Sequence, residues 1–127
     1  MIGYFSDDWF SQKYPFPLLH LFYPCKGNFI TVVGATNQMG FTKKVKTGMQ
    51  GSTELPVFSI NAPAFIPGID FSDHRSYWKY DYNAVMITDT AFYRNKEYHE
   101  AGDTYDRLDY NRMAQVILSI FNYLKTK

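Results

Sequence analysis

The sequence predicts an α/β domain with helices on both faces of a sheet. Three observations predict it. The runs Asn28–Val33 and Ala84–Thr88 are apolar and largely β-branched, as buried strands are. The stretch from Asp109 to Leu124 repeats apolar residues at helical spacing. Strand-like and helix-like segments alternate between these, which is the pattern of layered α/β folds. At 127 residues the chain makes one domain, 1–127, long enough to bury a core.

In chain order, Met1–Phe5 reads as a short strand. Ser6–Gly27 is an irregular connection broken by Pro15, Pro17 and Pro24, with a helical turn around Pro17–Leu21. Asn28–Val33 is a strand closed by Gly34. Thr36 or Asn37 caps a helix running to about Gln50, and Phe41, Val45 and Met49 share one face of it. Gly40 and Gly48 weaken that helix. Leu55–Asn61 is the next strand, with Pro56 near its start, where a missing N–H is tolerated. Ala62–Phe71 is a loop. A short helix spans about Asp73–Lys79, with Ser72 as its N-cap. After the strand Ala84–Thr88 comes a long loop, Asp89–Leu108, of the length that usually carries function or disorder. Asp109 then caps the last helix. Its stripe of Met113, Val116, Ile117, Ile120, Phe121 and Leu124 is expected to pack in the core, opposite Arg112, Gln115, Ser119 and Asn122. Lys125 and Lys127 suit the negative end of its dipole.

Composition narrows the function classes. A net charge of +1 gives no electrostatic case for nucleic acid. The 19% aromatic content fits a deep core or surfaces that meet other protein. The single Cys25 excludes an intrachain disulfide without fixing a compartment. No apolar run reaches membrane-spanning length. The N-terminus lacks the basic and apolar regions of a signal peptide, so none is expected.

The chemistry-bearing residues concentrate between Ser72 and Asp109. His20, among leucines, reads as a packing residue. His74 follows Asp73 at a helix start, where a catalytic and a structural role both stay open. His99 lies in the long loop near Glu97, Glu100 and Asp103, and imidazoles beside carboxylates are frequent metal ligands. Ser72, His74 and Asp89 supply the residue types of a hydrolase triad, but no Gly-x-Ser-x-Gly elbow exposes a nucleophile. There is no His-Glu-x-x-His, no cysteine pair and no glycine-rich phosphate loop. A mononuclear catalytic zinc site takes three protein ligands, more than these local patterns provide.

A longer pattern adds to this reading. Ser72-Asp73-His74, Tyr77-Trp78, the run from Ala84 to Asn95 (AVMITDTAFYRN), Tyr98-His99, Gly102-Asp103-Thr104 and Leu108-Asp109-Tyr110 follow one another in order. Together with Met1-Ile2-Gly3-Tyr4, Gln12-Lys13-Tyr14-Pro15 and Gly27-Asn28-Phe29-Ile30, they resemble the C-terminal part of the co-catalytic zinc aminopeptidases of metallopeptidase family M-28. Glutaminyl cyclases and glutamate carboxypeptidases are relatives of that family. The resemblance implies a three-layer α/β/α sandwich on a mixed sheet, of which this chain is the C-terminal half with about four strands. Across the sheet their order would be first, fourth, second, third. It implies two zinc ions in an intact enzyme that removes N-terminal residues from peptides.

Position by position, the resemblance makes His99 the last zinc ligand. It makes Asp73 a residue that hydrogen-bonds near the metal, with His74, Asp89 and Asp103 in the surrounding wall. The general-base glutamate and the other ligands have no counterpart in the chain, so it is expected to be inactive alone and to bind zinc weakly or not at all. Met1–Phe5 would be an exposed edge strand, and homo-oligomerisation through it is expected. A non-catalytic interaction domain of the same fold and a glutaminyl cyclase-like acyltransferase are the competing readings.

Overall fold

The computed structural model describes residues 1–126. Three strands form a mixed sheet: β1 (Ile30–Gly34), β2 (Val57–Asn61) and β3 (Val85–Thr88), in the order β2-β1-β3. β2 runs parallel to β1, in register Ile30 with Val57 to Gly34 with Asn61. β3 runs antiparallel to β1, with Thr31 opposite Thr88 and Gly34 opposite Val85. β1 is buried along its whole length, as a central strand covered on both faces must be.

The period of two sorts the side chains. Ile30, Val32, Val57, Val85 and Ile87 face α1 (Met39–Met49) and α3 (Tyr110–Lys125), meeting Val45, Met49, Val116 and Tyr123 in the main core. Helix α1 is the crossover between β1 and β2, so the parallel pair has the connection it needs. On the opposite face Val33, Ile60 and Met86 meet Ala62, Ile66, Ile69 and Trp78. Both long helices therefore share one face. The second helical layer reduces to α2 (His74–Trp78) with 3-10 turns and loops, because 62–72 and 89–108 lack the periodic apolar spacing a long helix requires.

Most predicted elements form, with shifted ends. The turn at Pro17–Leu21 is a 3-10 helix. Thr36 and Asn37 lie in a 3-10 turn that leads into α1, whose N-cap is Gln38. Buried Gln38 ties that start to the approach of β3, its Nε2 donating to Tyr82 O (2.8 Å) and its Oε1 accepting from Ala84 N (3.1 Å). The N-cap of α2 is Asp73 rather than Ser72, and its side chain makes no cap hydrogen bond. Asp109 caps α3 as expected, accepting Arg112 N at 2.9 Å. Lys127 lies outside the described residues.

Two expectations are corrected. Met1–Phe5 forms no strand, so among the described residues the sheet has three strands rather than about four. The Asp89 carboxylate takes the N–H groups of Gly3 and Tyr4, while Gly3 O accepts Asp109 N at 2.8 Å; a ladder would need those groups. The outer strands of the sheet are therefore β2 and β3, and Met1–Phe5 is not one of them. The apolar stripe of α3 is also only partly core. Val116 is buried and Met113 and Ile120 half-buried, whereas Ile117, Phe121 and Leu124 are more than half exposed. The deepest face of α3 instead carries Val116, Ser119 and Tyr123. Small Ser119 fits there because its hydroxyl returns to Gln115 O (2.8 Å) within the helix. No described helix is long and apolar enough to cross a membrane.

Candidate functional site

The sheet face away from α1 and α3 carries a cavity of about 270 Å³. Phe29, Thr31, Val33, Ile60, Met86 and Thr88 form its floor. Its walls come from three irregular segments, around Tyr14 to Tyr23, Ile66 to Ser72, and Thr90 to Tyr98. Rings dominate: Phe71 and Phe92 lie 6.0 Å apart across the rim, and Phe92 is 4.4 Å from Tyr93. A concave apolar site with few polar groups is the usual form of a small-ligand or side-chain pocket.

Buried polar residues hold these segments in place. Asp89, with no exposed surface, ends β3. Its Oδ2 accepts Gly3 N and Tyr4 N, each at 2.9 Å, and its Oδ1 accepts Ala91 N at 3.0 Å. Thr90 and Ala91 follow with φ of +73° and +47°, a left-handed turn unusual for residues with a Cβ. That turn swings Phe92 and Tyr93 over the pocket. Arg94 follows and is buried. Its Nε and Nη2 donate to Gln12 Oε1 (2.9 and 2.8 Å), and its Nη1 donates to Tyr4 O and Phe29 O (3.0 and 3.1 Å). Burial draws the guanidinium down to about 10, with the charge of Asp89 working the other way. It stays cationic at neutral pH over the rings of Phe5 and Phe29.

The tyrosines here bind structure rather than protons. Tyr14 donates to Pro24 O (2.8 Å), Tyr23 to Ser59 O (2.9 Å) and Tyr93 to Pro67 O (3.0 Å). Burial raises all three phenols above their ordinary value, so they remain neutral donors. Thr31 Oγ1, under the pocket, is buried without a hydrogen-bond partner among the described residues.

The residues singled out in the sequence fall in different places. His99 is exposed just outside the pocket, its ring stacked on that of Tyr98, a pocket residue, at 3.9 Å between centroids. Its φ of +64° is strained for a histidine, and the turn is held by Asp103, whose Oδ2 accepts His99 N (3.3 Å) and whose Oδ1 accepts Asn95 Nδ2 (2.8 Å). Asn95 Oδ1 in turn accepts Glu97 N and Arg107 Nη1. The long loop is thus an ordered, hydrogen-bonded structure.

Asp73 is exposed, one residue beyond the rim residue Ser72. His74 is buried elsewhere. Its Nε2 donates to Ile69 O at 2.6 Å, its ring meets Trp78 edge-on, and Nδ1 has no partner among the described residues. It borders the groove beneath α3 rather than the pocket. Asp89 anchors the N-terminal segment. The fold therefore brings Asp103 to His99, leaves Asp73 near the opposite rim, and puts Asp89 and His74 to structural use. Among the described residues, no group of three His, Cys, Asp or Glu side chains could hold a metal ion. Sequence reading passed over Gln12 and Arg94 as site-builders. A buried arginine paired to a glutamine leaves no periodic trace.

Comparison with known proteins gives one relative. The chain is 52% identical over 124 residues to a protein of Escherichia coli strain K12 named "Uncharacterized protein YfbL". The match covers 98% of this chain and 38% of that protein. No family model matches the chain, and no solved structure matches it.

Proposed function

We propose that the chain is a segment of a zinc-dependent aminopeptidase of the M-28 type, in which the ring-lined pocket receives the first side chain of a peptide. The observation that carries this reading is the placement of His99. Its imidazole is exposed and stacked on Tyr98, which lines the pocket, so the ring is free to serve as one ligand beside it. The order of the three strands is the one the resemblance implies for the same runs. The apolar lining favours peptides that begin with an aliphatic or aromatic residue.

The donor set fits zinc only in part. His99 suits one ligand position and Asp103 fixes the turn that presents it, but the described residues offer no complete site. When bound, zinc would polarise the scissile carbonyl and acidify a water. This chain's own residues supply the pocket, its apolar walls and the position of His99. A second reading, a non-catalytic interaction domain, is favoured by the exposed apolar face of α3.

One experiment separates the two. This chain replaces the 52% identical segment of the Escherichia coli relative, and the chimera is assayed with leucyl-, phenylalanyl- and glutamyl-nitroanilides. The aminopeptidase reading expects chelator-sensitive release, best with leucine or phenylalanine. The His99→Ala chimera should lose roughly a hundredfold or more of it. A folded chimera with no release from any substrate, or with full activity after His99→Ala, would sink the reading.

A further inference from the structure

We infer that the free edge of β3, with the groove and helix face above it, is a docking surface for more polypeptide. The occupant is the part of the longer relative that this chain does not match. Three observations converge on one place. First, β3 pairs only with β1; beside its other edge the backbone bond from Asp89 N to Met1 O (3.0 Å) lies just past the end of the strand. The strand Val85–Thr88 has no proline or charged residue, the usual protections of an edge. Second, α3 extends its apolar arc past the core. Ile120 and Leu124 border a groove with Val85 and Ile87 of β3, and Ile117 and Phe121 continue the arc outward, 54% and 61% exposed. At 100° per residue these side chains lie on one sector of the helix, and Ile120 and Leu124 bring that sector to the groove beside β3. Third, the relative carries a 52% identical segment inside a chain of which that segment is 38%. That relative thus carries a large body of polypeptide beyond the matching segment.

The edge and the arc need complementary things. The edge needs backbone N–H and C=O groups in a strand. The arc needs apolar side chains rising from that strand or from a helix above it. One strand-and-helix unit meets both needs and would extend the sheet beyond three strands. A second copy of this chain would meet the first by pairing β3 with β3, and is the rival outcome. The inference does not depend on peptidase activity: the complex can form in a protein that hydrolyses nothing.

The test is co-expression of the tagged chain with the remainder of the Escherichia coli relative as a separate polypeptide. A soluble one-to-one complex is expected, in which hydrogen exchange at the Val85–Thr88 amides slows at least about tenfold relative to the chain alone. Ile117→Asp and Phe121→Asp alter exposed positions and should leave the far-ultraviolet spectrum of the chain unchanged. Each should lower recovery of the complex about tenfold or more. The inference is overturned if the chain purifies alone or as a homodimer while the chimera of the two parts is soluble. It is equally overturned if the complex forms undiminished with both substitutions.

Discussion

Asp89 holds Gly3. Its Oδ2 accepts the Gly3 N–H at 2.9 Å across 86 residues of sequence, and the same oxygen accepts the neighbouring Tyr4 N–H. The carboxylate thus joins the end of β3 to the N-terminal segment, while its other oxygen shapes the Thr90–Ala91 turn. Removing it leaves three buried or half-buried amides without their acceptor. Asp89→Ala is expected to destabilise the chain by about 3 kcal/mol or more, on the scale of hydrogen bonds to charged groups. Asp89→Asn keeps an oxygen but loses the charge, and should fall between the two. Urea unfolding of the three proteins checks the order; an Asp89→Ala midpoint equal to that of the parent would contradict it.

The two glycines of α1 predict opposite outcomes. Both look like helix weaknesses, since alanine is favoured over glycine by about 1 kcal/mol in a helix interior. A Cβ at Gly40 meets nothing within 4 Å, so Gly40→Ala should stabilise the protein by up to that amount. A Cβ at Gly48 runs into the Tyr123 ring of α3. Gly48→Ala should therefore cost about 1–3 kcal/mol through overpacking. Thermal melts of the pair decide it, and a stabilised Gly48→Ala protein would show that the helices are free to separate.

Acid exposes a weaker tie. Asp7 pairs with Arg112 at the start of α3 and accepts from Asn28 Nδ2 at 3.1 Å; the Arg112 hydrogen bond foremost holds its carboxyl below the ordinary 3.8. A depressed folded-state value means this contribution is complete above about pH 4 and fades as pH falls through the lower folded value. The pair is largely exposed, so its contribution is small and salt-sensitive. Asp7→Asn should be slightly less stable than the parent at pH 6 in low salt, with the difference vanishing near pH 2 or in 1 M salt. A difference that grows towards acid pH would reverse the assignment.

Where local pattern was enough, the sequence was readable. Val32 and Val33 alternate between faces in a strand, Asp109 caps the helix it precedes, and Pro17 opens a helical turn. These depend on a residue and its neighbours. Met1–Phe5 has the composition of a strand, yet its N–H groups go to a side chain met only after folding. The α3 stripe has the period of a core helix, but burial depends on what lies opposite, and nothing described lies opposite Ile117 and Phe121. In the site, the pairing of the His99 turn with Asp103 was legible from the residues around it, whereas the positions of Asp73 and His74 were not. One residue of offset on α2 exposes the first and buries the second.

By itself, then, the sequence determined the α/β class, the runs of β1, β2 and β3, the Asp109 cap of α3 and the loop that carries His99. These follow from backbone preference and hydrophobic period, which act over a few residues. Only the tertiary structure decided that the two long helices share one face, that β3 rather than Met1–Phe5 is an outer strand, and that Asp89, Gln12 and Arg94 build the pocket walls. Those outcomes rest on hydrogen bonds and contacts between residues about eighty positions apart. No local pattern in the chain encodes them, because each partner's environment exists only once the other has arrived.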